Sequence, residues 1–263
     1  MHQICGSSKT LAHLGTFDNV LVVGATDTPK IENVDKITIL RKDPQNGSSY
    51  SNRIVGLMAP GENIRSALYN GDYGMTDGTS QATAMVTGAA AILMTIEPSW
   101  SPWQIKFRLV ASADLWTDTI QRSYALSGLL NVERAVLNTK EIVLTHETLG
   151  ECKGTIAPEL ENDILTIEKS NGRKELIPFK KLLRLSRTSK TSTTYTMIYY
   201  KERRMADYFN RYTSDLERLN DIRASRITPN SFTINSGKCG NKTINFSELI
   251  DFLNTFYHDV SNN

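Results

Sequence analysis

The stretch that decides the reading is Gly78-Thr79-Ser80-Gln81-Ala82-Thr83-Ala84-Met85-Val86-Thr87-Gly88-Ala89-Ala90-Ala91. It opens a run of small and apolar residues that lasts to Ile96, where Glu97-Pro98 stops it. Proline clashes with helix continuation and pushes the preceding residue out of the α region, so residues 80–96 are expected to form one buried helix. A serine at the start of such a helix has three physical assets. The first backbone N–H groups are unpaired, the macrodipole makes the spot locally positive, and the serine's own N–H can hold an oxyanion. Ala82, Ala84 and Gly88 carry little side-chain volume, so the helix is expected to sit deep among strands and hold the serine rigidly. The competing expectation is that Thr79 or Ser80 only N-caps a core helix, a common use of these residues.

Outward from that helix the first half alternates strand and helix signals. Residues 19–25 are a short β-branched apolar run closed by Gly24-Ala25, as a buried strand requires. Residues 36–40 and 53–58 are two further strands, separated by the turn-rich residues 43–49. Ala59-Pro60-Gly61 breaks the chain before a weak strand at 63–68 and a loop at 69–74. Downstream, Ser101-Pro102 opens a second helix, with Ser101 as N-cap and Pro102 at its first position. Ile105 and Leu109, with Trp103 and Val110, are its expected inner face. Residues 128–132 are extended and lead into a helical turn through Val136. Strands alternating with helices predict an α/β fold.

The character changes near residue 139. Residues 164–167 and 175–177 flank Lys169-Ser170-Asn171-Gly172 as a β-hairpin. Residues 180–185 follow as a short helix or strand, and residues 195–200 as a strand. Met205, Phe209, Tyr212, Leu216 and Leu219 recur every three or four residues, predicting an amphipathic helix over 201–224. Residues 166–183 also match 233–250 at a constant offset of 67. Either a small β-module is duplicated or two hairpins are merely similar, the second being the simpler explanation; two copies do not make a solenoid.

Composition excludes several classes. With 263 residues, 40% hydrophobic and 22% charged, the chain can bury a real core as one large domain or two small ones. Disorder, collagen and a disulfide-rich mini-protein are excluded. Cys5, Cys152 and Cys239 lie far apart and are expected to be isolated thiols. No run of 18 apolar residues occurs, and the N-terminal residues lack the basic and apolar blocks of a signal peptide. The sequence therefore implies no membrane partner and assigns no compartment. Residues 180–226 hold 12 Lys and Arg against 5 Asp and Glu. This patch is expected to be a solvated face, and no nucleic-acid partner is inferred.

The 78–91 segment resembles the serine motif of the subtilisin-like serine proteases, Gly-Thr-Ser-x-Ala followed by Val-x-Gly. Four other landmarks agree in order. Residues 20–25 resemble the family's buried strand, and Ser49-Tyr50-Ser51-Asn52 with Met58-Ala59-Pro60-Gly61 its Ser-Phe-Ser-Asn and Met-Ala-Pro-Gly signatures. Residues 98–106 resemble the helix after the serine helix, and Gly128-Leu129-Leu130-Asn131-Val132 the closing Gly-x-Leu-Asn-Val segment. The resemblance implies a partial doubly wound parallel sheet over residues 1–138, the C-terminal half of a catalytic domain. Residues 139–263 are then a smaller α+β extension. It makes Ser80 the catalytic nucleophile, Gly78 and Thr79 the nucleophile and oxyanion loop, and a polypeptide the substrate. No cofactor is implied. Many relatives bind calcium, but no Asp/Glu cluster here matches such a site, so no metal is assigned. Ala84 and Met85 stand where many members have Pro and His, which is expected to alter packing at the helix start.

In this family the triad runs Asp, His, Ser along the chain, so both partners must precede Ser80. Neither an Asp-x-Gly nor a His-Gly-Thr-His motif occurs well upstream of Ser80. His13, in Ala12-His13-Leu14-Gly15, lies only seven residues before Val20, and His146 and His258 follow the serine. None is expected to be the base. The oxyanion asparagine also lacks a counterpart. The sequence thus resembles a protease fragment, inactive alone, the alternative being a non-catalytic scaffold that keeps half a protease fold.

Overall fold

The computed structural model describes residues 19–27, 47–51, 54–115, 124–136, 142–156, 163–189, 191–201, 216–237 and 239–254. These fall into two compact units, one reaching Val136 and the other made of residues that follow it.

The first unit is α/β. Strands β1 (Val22–Thr26), β2 (Val55–Pro60) and β6 (Gly128–Leu129) run parallel, and β5 (Asp114–Leu115) closes the sheet antiparallel, in the order β1-β2-β6-β5. β2 is buried along nearly its whole length, which explains its unbroken apolar sequence. Strands β3 (Ile64–Ala67) and β4 (Tyr73–Thr76) form a separate antiparallel hairpin, so the weak strand signal at 63–68 was real. The strand expected at 36–40 lies outside the described residues.

Helix α1 (Thr79–Ile96) packs against β1 and β2. Its burial differs from the sequence expectation. Only the stripe Ala82, Val86, Ala89 and Leu93 is buried, whereas Ala84 and Gly88 face solvent. The small residues therefore do not sink the helix among strands; they serve close approach on one side only. By length and composition α1 could cross a membrane, but its stripe on the sheet is the packing of an α/β helix. Helix α2 (Pro102–Ser112) begins as expected. Gln104 N–H donates to Ser101 Oγ at 3.3 Å and Ser101 N–H to Gln104 Oε1 at 2.8 Å, a reciprocal capping box. Ile105, Leu109 and Val110 are buried, and Trp103 meets Phe107 edge-on. Arg108 is buried too, its Nε donating to the Ala135 carbonyl at 2.7 Å, which ties α2 to α3 (Val132–Val136). Burial lowers its pKa to about 10.

The second unit is built from strands and 3₁₀ turns among its described residues. Its large sheet takes the order β13 (Leu216–Arg223), β12 (Thr194–Tyr200), β11 (Leu182–Arg187), β17 (Leu249–Leu253), β7 (Ile142–His146), β8 (Gly150–Ile156), β15 (Ser231–Ser236), β16 (Gly240–Asn245). A small sheet holds β10 (Lys174–Pro178), β9 (Ile164–Glu168) and β14 (Ile227–Thr228). The hairpin at 164–178 forms as read. Residues 179–181 make a 3₁₀ turn and 182–187 a strand, which settles the helix-or-strand ambiguity.

Two expectations fail here. Leu216 and Leu219 lie on strand β13, paired with Tyr200 and Met197, not on an amphipathic helix. The apolar positions at 216, 219 and 222 fit helical spacing by coincidence, because a bulge near Asp221, at φ 57°, breaks the strict alternation of the strand. Met205, Phe209 and Tyr212 lie outside the described residues, and the module is accordingly β rather than α+β where it is described. The second failure concerns sulfur: Cys152 and Cys239 form a disulfide across 87 residues. Wide spacing concealed it, since β8 and the β15–β16 hairpin meet only through tertiary pairing. Cys5 lies outside the described residues.

Candidate active site

Ser80 stands in the first turn of α1 and is exposed. It does not cap the helix. The N-cap is Gly78, and no side chain accepts a hydrogen bond at that end. The capping alternative for Thr79 and Ser80 is thereby overturned, and the Ser80 hydroxyl has no structural duty at the helix start. The first turn itself holds no acidic residue; the nearest carboxylate on the chain is Asp77, just before the N-cap.

The loop before the serine is fixed by backbone geometry. Gly78 has φ 149° and ψ 173°, a conformation open essentially to glycine alone. Its N–H donates to the Gly61 carbonyl at 2.7 Å, and Gly61 N–H donates to the Thr26 carbonyl at 3.0 Å. The chain entering α1 is thus pinned to the ends of β1 and β2. A Cβ on Gly61 would sit 2.6 Å from the Gly78 oxygen and 2.7 Å from the Ala25 Cβ, so glycine is required by close approach. Thr79, half-buried beside it, accepts a bond from Thr83 Oγ1 through its carbonyl at 2.7 Å.

Side chains brace the same loop. Gln81 Nε2 donates to Thr76 Oγ1 at 2.8 Å, and Thr76 Oγ1 donates to Ser66 Oγ at 2.9 Å, joining the first turn of α1 to the β3–β4 hairpin. Asp77 Oδ1 accepts the Asn63 N–H at 2.7 Å. Sequence reasoning missed Gln81, Thr76 and Asp77; polar residues on a short hairpin give no periodic signal. Gly61 stood inside the Met-Ala-Pro-Gly landmark, but its contact with Gly78 was not readable there. Met85 is 41% exposed, so its substitution for the family's usual residue leaves a thioether on the surface.

Among the described residues of the first unit, no other sequence candidate joins this loop. His2, His13 and His258 lie outside the described residues. His146 belongs to the second unit, where its Nε2 lies 3.3 Å from Glu248 Oε2 and its Nδ1 accepts the Thr148 N–H at 3.2 Å. Among the described residues no three His, Cys, Asp or Glu side chains gather as a metal site requires.

Comparison with known proteins places the first half of the chain in a family. The chain is 31% identical over 130 residues to subtilisin amylosacchariticus of Bacillus subtilis subsp. amylosacchariticus, an alignment covering 49% of this chain and 30% of that one. It is 27% identical over 143 residues to the serine protease AprX of Bacillus subtilis (strain 168), covering 49% and 32%. The chain therefore spans about a third of the length of these relatives. Among solved structures, the A-subunit of the AB5 toxin from E. coli matches at 28% identity and a TM-score of 0.39, covering 44% of this chain and 36% of that one. The profile of the subtilase family matches residues 5–138, just over half of the sequence, and the chain belongs to that family.

Proposed function

We propose that the chain carries the nucleophile-bearing half of a subtilisin-like serine endopeptidase, with residues 1–138 as that half and residues 139–263 as an appended module. In this reading Ser80 Oγ attacks the carbonyl carbon of a peptide bond while a histidine base takes its proton. The carbonyl oxygen becomes the oxyanion, held by the Ser80 N–H at the positive end of α1. Collapse expels the amine, protonated by the same histidine, and leaves an acyl-Ser80 ester that water hydrolyses. Gly78 and Thr79 hold the loop that aims the hydroxyl.

One observation carries the reading: Ser80 is exposed at the start of α1 with no capping role, on a loop whose path is fixed by Gly61 and Gly78. The sequence holds no His-Gly-Thr-His motif, so this polypeptide alone lacks the activating base. Removing the base from such a triad costs about 10⁶-fold in kcat. The exposed apolar residues Met85, Ile92, Met94 and Ile96 support the idea that further polypeptide completes the domain over α1.

The test is active-site labelling with a fluorophosphonate. Residues 1–263 alone are expected to resist it. A chain completed with a half carrying the Asp and His motifs is expected to label at Ser80 and to lose labelling on Ser80→Ala. Labelling that survives this substitution rejects Ser80 as nucleophile.

A further inference from the structure

The second unit contains a regularity that goes beyond the proposed protease chemistry. We infer that residues 142–253 are two tandem copies of one five-stranded module, docked through a two-fold interface in which each copy's partner is the other copy. The first copy is β7, β8, β9, β10, a 3₁₀ turn at Phe179–Lys181 and β11. The second is β12, β13 with β14, β15, β16, a 3₁₀ turn at Phe246–Glu248 and β17.

The strand registers carry the inference. Two similar hairpins would share their own internal pairing and nothing more. Here the pairings between copies are equivalent as well. β17 meets β7 with Leu249 opposite His146, Asp251 opposite Thr145 and Phe252 opposite Leu144. β11 meets β12 with Leu182 opposite Tyr199, Arg184 opposite Ile198 and Leu185 opposite Met197. Every partner in the first set maps onto the second, by 67 residues for β17 and β11 and by 53 for β7 and β12. Even the irregularity recurs, between Leu182 and Arg184 in one and Leu249 and Asp251 in the other.

An interface between identical partners is isologous: if residue i of one meets j of the other, then j of the first meets i of the second. The β11–β17 pairing obeys this. Arg184 faces Leu253 and Ser186 faces Asp251, while the equivalent residues Leu185 and Phe252 face each other on the axis. The outer strands exchange reciprocally too. Ile234 of β15 pairs with Ile156 of β8, and its mate Ile167 of β9 pairs with Ile227 of β14. Phe179 N–H donates to the Asp163 carbonyl at 2.8 Å and Phe246 N–H to the Asn230 carbonyl at 2.9 Å, again 67 apart.

The departures are insertions and one deletion, not changes of plan: the stretch from Ile227 to Ser231 is four residues shorter than that from Ile156 to Ile164. Fourteen extra residues separate β12 from β13, because the offset is 53 before that loop and 67 after it. The bulge near Asp221 and the 3₁₀ turn Ala224–Arg226 split β13 from β14 where β8 is continuous. The Cys152–Cys239 bond has no mate, its equivalents being Leu219 and Gly172, so it staples the two copies once.

The test uses the full chain. Replacing residues 231–245 by the sequence of residues 164–178, with Cys239 kept, is expected to preserve a cooperative melt of the second unit. The same replacement by residues 165–179 turns every side chain to the wrong face and is expected to unfold it. Both grafts folding equally well would overturn the inference. Should neither fold, mates at equal burial decide. Leu182→Ala and Leu249→Ala, both fully buried in the parent, are expected to lower Tm equally within a factor of about two. A threefold or larger inequality overturns the inference.

Discussion

Helix α1 in the first unit buries one stripe and leaves Ile92 and Met94 about half exposed. In the second unit Phe179, Phe232, Phe246 and Phe252 interlock with ring centroids 5.3–5.7 Å apart, and each copy of the repeat covers the other. In the first unit α1 has an open apolar face; the second gathers most of its apolar residues into one core, leaving Ile164 and Leu176 exposed, and adds a covalent staple. Ser80, the proposed nucleophile, belongs to the first unit. The contrast separates two uses of hydrophobic surface. In the second unit it makes a self-sufficient core, and in the first it is left available beside the residue proposed to react.

The largest expected effect tests how far the second unit depends on its staple. The Cys152–Cys239 bond closes 87 residues, and loop-closure entropy for that length is worth about 4–5 kcal/mol at best. Cys152→Ser should therefore reduce the stability of the second unit strongly. Hydrogen exchange read by segment is the suitable measurement, with protection falling over β7–β17 and unchanged over α1 and α2. Equal loss in both would mean that the two units unfold as one, and the comparison would break.

The next effect sharpens the picture of α1. Leu93 is fully buried on the stripe, and Leu93→Ala should cost about 2–5 kcal/mol. Ile92, its neighbour on the outer face, is 46% exposed, and Ile92→Ala should cost about 0.5 kcal/mol or less. Chemical denaturation of the two variants side by side checks this. If they cost the same, the outer face is covered in solution.

Much of this was legible in sequence, for identifiable reasons. β2, α2 and the 164–178 hairpin carry local signals: an unbroken apolar run, a Ser-Pro start with Gln at the fourth position, an Asn-Gly turn. The serine motif was legible through its resemblance to the family's motif, since spacing alone favoured a simple N-cap; the contact of Gly61 with Gly78 at the α1 start was not. What could not be read depends on residues far apart in the chain. The disulfide, the reciprocal strand exchange and the β13 register all arise from tertiary pairing. The depth of α1 was misjudged because small residues permit close packing without specifying which side receives a neighbour. The offset of 67 was visible, but only paired strands reveal that it relates whole modules.

The smallest effect concerns charge within the second unit. Glu175 lies 2.8 Å from Lys169 Nζ and 3.3 Å from Lys201 Nζ, and accepts a bond from the Tyr199 hydroxyl at 3.2 Å. Burial alone would raise its carboxyl pKa, but the two lysines outweigh that and hold it below the ordinary value. A carboxylate with a depressed folded pKa gives its full stabilisation above the unfolded value, near 4.3, and loses it as pH falls through the folded value. Tyr199 has the opposite sign. Burial, followed by Glu217 and Glu175, raises its pKa, so its contribution is lost as pH rises beyond about 10. These groups are partly exposed, so Glu175→Gln should cost under about 1 kcal/mol at neutral pH. The informative readout is the slope of stability against pH below about 4.3, which should flatten in the variant. Among the described residues the cluster lies within the second unit, so the acid response of the first should not change. An unaltered acid limb in the second unit would mean that the lysines there are solvated and that closure of this unit is apolar alone.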